Sequence, residues 1–170
     1  MKTILLIVAC LASLQHPAVS APPKIAEVVL FVATDCPIAN SYVPEINRLH
    51  EEYSAKGISF LLVYPDPTIS QEEIAVHRKE FSLLPPGIPD PEHQQVDRCG
   101  ATITPEVAVL AESGELLYRG RIDNWYNDYG DRQRAASKKD LRDVLESIAA
   151  GESVAYTESA AIGCFIEPLN

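Results

Sequence analysis

Cys36 stands where its neighbours can make a sulfur reactive. The run Val28-Val29-Leu30-Phe31-Val32-Ala33 reads as a strand buried on both faces, and it stops abruptly at Thr34-Asp35-Cys36-Pro37. Pro37 suits the first turn of a following helix, because its missing N–H would have no partner there. A cysteine at the end of a strand and the start of a helix lies among unpaired backbone N–H groups, which favour a negative charge. The thiolate is the reactive form of cysteine. The bland reading of a lone cysteine is a small buried apolar residue without reactivity.

Three further cysteines, Cys10, Cys99 and Cys164, complete the set of four. Cys164 follows Gly151 by 13 residues. Extended at ~3.3 Å per residue such a tail spans tens of ångströms, so Cys164 has the reach of a resolving thiol, although the sequence does not give its direction. In that role it attacks a mixed disulfide or a sulfenic acid formed on Cys36; otherwise it is a tail residue of no consequence. Cys99 reads as a packed thiol beside Gly100 that could still pair with either of the others. The histidines, His16, His50, His77 and His93, show no metal-ligand spacing.

Alternating strand and helix signals position these residues. After the Lys24–Ala33 strand, Tyr42, Ile46, Leu49 and Tyr53 form one apolar helical stripe, kinked at Pro44 and closed by Gly57. Ile58–Tyr64 is a second buried strand, and this strand–helix–strand unit implies a right-handed parallel crossover. Ser70-Gln71-Glu72-Glu73 has the form of a capping box for a helix to about Leu83, with Ile74, Phe81 and Leu84 as its core contacts. Asp90-Pro91 suggests a cap for a short helix to about Arg98. Thr104-Pro105 then introduces a hairpin, Glu106–Ala111 and Leu116–Ile122, turning at Gly114. A polar and aromatic loop from Asp123 to Ala136 precedes a last helix, capped by Ser137, with a stripe of Leu141, Val144, Leu145 and Ile148. The hairpin returns the chain to the sheet edge of Cys36, so Trp125, Tyr126 and Tyr129 are candidate walls of a substrate groove. A solvated connection is the plain alternative for that loop.

The chain has 170 residues and a net charge of −10, enough for one domain with a proper core. Its acidity argues against nucleic acid and anionic membranes as partners. Met1–Ser20, with Lys2, an apolar run from Ile4 to Leu14 and small residues at Ala18-Val19-Ser20, reads as a secretory signal peptide. Ile7-Val8-Ala9-Cys10 also resembles a lipoprotein box, which makes a lipid anchor on Cys10 the minor alternative. The expected organisation is a signal peptide at 1–20, a domain at 21–151 and a tail at 152–170 carrying Cys164. The expected location is exported, periplasmic or extracellular, with no membrane insertion after leader removal. Loss of the leader would leave an odd number of cysteines in an oxidising compartment, so at least one thiol is free, paired outside the chain, or cycling.

The order of elements resembles the thioredoxin fold, and two motifs carry the resemblance. Cys36 is followed eight residues later by Pro44, similar to the redox cysteine and helix-kinking proline of thioredoxins. Gly100-Ala101-Thr102-Ile103-Thr104-Pro105-Glu106-Val107 resembles the segment that carries the family's cis-proline. Cys36-Pro37-Ile38-Ala39-Asn40, Tyr118-Arg119-Gly120-Arg121-Ile122-Asp123 and Gly163-Cys164 are similar to runs in exported redoxin-domain proteins of the alkyl hydroperoxide reductase and thiol-specific antioxidant superfamily. The resemblance implies an α/β, thioredoxin-like fold: a central mixed sheet, a parallel βαβ unit plus a C-terminal antiparallel hairpin, flanked by helices. It further implies Cys36 as nucleophile, with Pro105 against the sulfur and Thr104 pairing with an extended peptide. No organic cofactor is implied, and the partner is a protein thiol, disulfide or reductant.

The departures are specific. Ala39 stands where thioredoxins have their second cysteine, so Cys36 has no resolving partner in its own turn. Peroxiredoxins place a threonine three residues before the peroxidatic cysteine, whereas Thr34 is two before. Three readings follow: a thiol–disulfide oxidoreductase using Cys36 and Cys164; a peroxide-reducing redoxin in which Arg119 or Arg121 polarises the peroxide; and a non-catalytic module holding Cu(I) or a peptide, since soft thiolates suit Cu(I).

Overall fold

Successive residues of the first strand point into two different cores, which is why its sequence is apolar without alternation. The computed structural model describes residues 22–169, so the expected leader and Cys10 lie outside the described residues. In β1 (Ala26–Phe31), Val28 and Leu30 pack on one face of the sheet and Val29 and Phe31 on the other, all inaccessible to solvent. The strand ends before α1 (Pro37–Ser41), which breaks at Tyr42 and resumes as α2 (Val43–Ser54). Pro44 falls in the first turn of α2, where its missing N–H costs nothing. The expected stripe of Tyr42, Ile46, Leu49 and Tyr53 is buried. β2 (Ile58–Tyr64) returns parallel to β1, in register from Ala26 against Ile58 to Phe31 against Val63.

Ser70 caps α3 (Gln71–Glu80): its hydroxyl accepts from the Glu73 N–H while the Glu73 carboxylate accepts from the Ser70 N–H. The helix stops earlier than expected, and Ser82 adopts a positive φ of 56°. That reversal turns Leu83 into the core and leaves Leu84, expected there, 45% exposed. The proline-rich segment then supplies β3 (Gly87–Pro89), parallel to β2, where the sequence suggested only a helix end. The Asp90 carboxylate accepts from the Gln95 and Val96 N–H groups, capping α4 (Gln94–Cys99) from a distance.

β4 (Ile103–Thr104) leads through Pro105 into β5 (Glu106–Ala111), antiparallel to β1, and β6 (Leu116–Gly120) completes the hairpin. The aromatic loop contains a small ribbon of β7 (Tyr126–Asp128) and β8 (Asp131–Arg132). Ser137 does not cap α5 (Asp140–Ala149). It is tied instead to Asn124, whose side-chain oxygen accepts from the Ser137 and Lys138 N–H groups, and the helix begins after Lys139. Leu141 and Leu145 are fully buried, with Val144 and Ile148 packed beside them.

The last segment is an integral part of the structure. β9 (Thr157–Glu158) adds in parallel to β6, giving a mixed sheet in the order β3-β2-β1-β5-β6-β9. The chain then turns back, and β10 (Cys164–Phe165) pairs antiparallel with β4, Cys164 opposite Thr104 and Phe165 opposite Ile103. No described helix is long and apolar enough to cross a membrane.

Candidate thiol site

The backbone around Cys36 is shaped to receive its sulfur. Cys36 is the residue before α1, in an extended conformation, and its Sγ accepts a hydrogen bond from the Ala39 N–H at 3.4 Å. In the protonated state the thiol donates to the Thr104 carbonyl at 3.0 Å. The Thr104–Pro105 peptide bond is cis. Thr104 and Cys36 therefore meet at the edge where β1 ends and β5 begins.

Cys164 joins them. Its strand pairs with Thr104, whose carbonyl accepts from the Cys36 thiol, and its side chain packs against the core that contains Cys36. Burial, then the hydrogen bond and charge of Cys36, push the Cys164 thiol up to about 11. Both sulfurs are free thiols. A nucleophilic Cys36 has to be accessible; the structure instead seals it, the burial that the bland reading of a lone cysteine expects. Cys36 is fully buried, whereas Cys164 is half-buried and lines a cleft with Ala33, Asp35, Pro65 and Phe165. The chain's own last strand, running over the Thr104 edge, is part of the cover. Cys99 is also buried, but among Val96, Ala101 and Leu110 on the opposite face of the sheet, where burial pushes its thiol up to about 11.

The aromatic loop packs against the break between α1 and α2. Trp125 meets Tyr42 edge-on at 5.5 Å, Tyr126 lies 5.9 Å from the same ring, and the Tyr126 hydroxyl is 3.0 Å from Ser41 Oγ. Tyr126 shares a narrow cavity with Pro105, Tyr42 and Ile162, while Trp125 supports it from behind, beneath the Arg132 guanidinium. Tyr129 is 62% exposed and takes no part in that cavity.

Several partners escaped the sequence reading. Asp123 binds both the Tyr42 hydroxyl and the Trp125 N–H, fixing the loop. His77 is buried between Tyr64 and Asn40, tying α3 and β2 to the Cys36 turn. Ile162 and Gly163 carry a period-two signal that was available: Ile162, Cys164 and Ile166 alternate with Gly163, Phe165 and Glu167.

The two arginines of the peroxide reading are engaged elsewhere. Arg121 forms two hydrogen bonds with the Asp140 carboxylate, at 2.9 and 3.1 Å. Arg119 binds the Gly100 carbonyl and the carboxylates of Glu106 and Glu158. Among the described residues, no group of three or more His, Cys, Asp or Glu side chains is placed to hold a metal ion.

No family model matches this chain. No curated protein matches it either. Solved structures do. A conserved protein from Geobacillus kaustophilus, described as uncharacterized, superposes with a TM-score of 0.72 at 23% identity, over 86% of this chain and 78% of its own. A putative thioredoxin from Neisseria meningitidis matches at a TM-score of 0.55 and 18% identity, over 77% of this chain and 78% of its own. A secreted disulfide oxidoreductase from Mycobacterium tuberculosis matches at 0.50 and 14%, over 75% and 83%. With the strand order and the position of Cys36, these likenesses show that the chain has the thioredoxin-like fold.

Proposed function

We propose that the protein is a thiol–disulfide oxidoreductase in which Cys36 and Cys164 form the redox pair. One observation carries the reading: the strand bearing Cys164 pairs it with Thr104, the same residue whose carbonyl accepts from the Cys36 thiol.

In the reductive direction, the Cys36 thiol loses its proton and the thiolate, beside the Ala39 N–H, attacks one sulfur of a substrate disulfide. That S–S bond breaks, a disulfide forms between Cys36 and the attacked sulfur, and the other substrate sulfur leaves as a thiolate and takes up a proton. The deprotonated Cys164 sulfur then attacks the Cys36 sulfur, which releases the second substrate thiol and leaves a Cys36–Cys164 disulfide. Two electrons have passed from the protein to the substrate, and an external dithiol reductant restores the pair. With an oxidant in place of the reductant the same steps run backwards. Thr104 and Pro105 border the reacting sulfur, and Tyr126, supported by Trp125, forms the adjoining wall. An exported setting, periplasmic or extracellular, suits a chain that begins with a leader-like segment.

Thiol trapping with mass spectrometry after mild oxidation tests the assignment. A Cys36–Cys164 linkage in the wild type, replaced by a persistent mixed disulfide on Cys36 in Cys164→Ser, is the expected result. An oxidised Cys36 that never links to Cys164 overturns the pairing.

A further inference from the structure

The Thr104 carbonyl has neighbours on two sides. The Cys36 thiol donates to it at 3.0 Å, and the backbone of Gly163 lies so close that a Cβ there would stand 2.0 Å from the same oxygen and 2.7 Å from its carbon. Real side chains do not approach backbone that closely, so any strand in this position in the same register needs glycine immediately before its cysteine. The present occupant meets the condition as Gly163-Cys164. It is held by the short β10 pairing, an Ile166 N–H to Thr102 carbonyl bond at 2.9 Å, and Ile162 at the cavity beside Pro105.

The segment is anchored unevenly along its length. Upstream, Ser159 is locked to the sheet: its N–H donates to the Arg119 carbonyl, its hydroxyl meets Tyr118, and a Cβ on Gly120 would fall 2.2 Å from its carbonyl oxygen. Beyond the exposed Ala160, the pairing with β4 covers two residues, and so short a ladder is marginal by itself. Short exposed elements of this kind open at far lower free energy than a core strand. Cys36, fully buried, is out of reach of an outside disulfide in this arrangement.

We propose that Ile162–Ile166 is a built-in stand-in for the substrate strand: the substrate is an extended peptide that displaces it from Thr104, and the Thr104 carbonyl selects glycine immediately before the reacting cysteine. The proposal rests on the thiol exchange described above for its chemistry, but strand displacement can be measured without that chemistry. Attack by the Cys36 thiolate on the peptide's disulfide sulfur expels the other half of that disulfide as a thiol, and the displaced segment then brings Cys164 back to complete the exchange.

The test uses the full-length protein in the reduced state. Binding is read with the thiol-free peptides Ala-Ile-Gly-Ser-Phe-Ile and Ala-Ile-Val-Ser-Phe-Ile. The glycine peptide is expected to speed hydrogen exchange of the Ile166 amide without affecting the Val28 and Val109 amides of the central strands, and the valine peptide is expected to leave Ile166 protected. Reaction is read with the corresponding cysteine peptides, each as a mixed disulfide with thionitrobenzoate, added to Cys164→Ser. A preference for glycine of about tenfold or more, equivalent to ~1.4 kcal/mol, is expected. Equal effects of the glycine and valine peptides on Ile166, or unchanged Ile166 protection with both, overturn the proposal. If the glycine peptide displaces the segment but no disulfide reacts with Cys36, the redox assignment fails and the strand-exchange site stands.

Discussion

Tyr42 donates its hydroxyl hydrogen to the Asp123 carboxylate across 2.7 Å, joining the break between α1 and α2 to the aromatic loop. The same carboxylate oxygen accepts the Trp125 N–H at 2.8 Å. Burial, with the hydrogen bond and charge of Asp123, raises the Tyr42 pKa well above that of an ordinary tyrosine, so the phenol remains a donor. Asp123→Ala removes the acceptor from both donors and should cost ~1.5–3 kcal/mol, as hydrogen bonds to charged groups do. Tyr42→Phe loses one bond and should cost about half as much, on the same scale. Urea denaturation gives both values, and Trp125 emission should shift to the red in Asp123→Ala. An unchanged midpoint and spectrum in Asp123→Ala would show that packing alone holds the loop.

A second prediction concerns pH. Burial lowers the pKa of His77, whose ring nitrogens lie 2.8 Å from the Tyr64 hydroxyl and 3.0 Å from the Asn40 side-chain oxygen. The unfolded chain, with a histidine pKa near 6.5, therefore takes up a proton before the folded one does. Stability should be level above neutrality and fall as pH drops through that value, until the folded-state pKa is passed. His50, also lowered by burial, adds to the same slope. Glu73, held below the ordinary carboxylate range by its bonds to Ser70, acts in a lower window: its contribution is present above about 4.5 and lost beneath. Urea midpoints between neutral pH and pH 5 should decline in the wild type and decline less in His77→Gln. A flat wild-type profile would contradict the assignment.

Local pattern made β1, β2, the Ser70 capping box, the β5–β6 hairpin and the α5 stripe legible, because each is written in consecutive residues. Features set by tertiary contact were hidden. Leu83 and Leu84 exchanged roles through the single reversed φ at Ser82, which no periodicity announces. β3 is three residues long and exists because β2 offers it partners. At the candidate site, Cys36, Thr104 and Pro105 were readable from motifs, but the direction of the tail was not. β9 and β10 are each two residues long, and a separation in sequence sets a reach without a direction.

Ser70 offers a stability test away from the sulfurs. Its hydroxyl and the Glu73 carboxylate close the first turn of α3 reciprocally, so Ser70→Ala should cost ~0.5–2 kcal/mol, the usual loss of an N-cap. Ser70→Asp retains an acceptor but faces Glu73 and Asp66, so it should recover less than a cap normally does. Urea denaturation of the two variants gives the comparison. Full recovery in Ser70→Asp would show that a side-chain acceptor is what matters and that the Ser70 hydroxyl's own donation to Glu73 contributes little.

The second step of the proposed exchange should carry the pH dependence. Cys164 is pushed up to about 11, first by burial and then by the hydrogen bond and charge of Cys36. Once Cys36 is held in a mixed disulfide its charge is gone, but burial, the larger cause, remains. Below its pKa the thiolate fraction of a thiol rises about tenfold per pH unit, and the thiolate is the attacking species. Release of the second substrate thiol should therefore quicken severalfold per unit from pH 7 to pH 9, in quenched-flow measurements starting from the preformed Cys36 mixed disulfide. Capture of the first substrate sulfur, followed in Cys164→Ser, has no such Cys164 dependence and should show a different profile. If release shows no such rise with pH, deprotonation of Cys164 does not limit turnover.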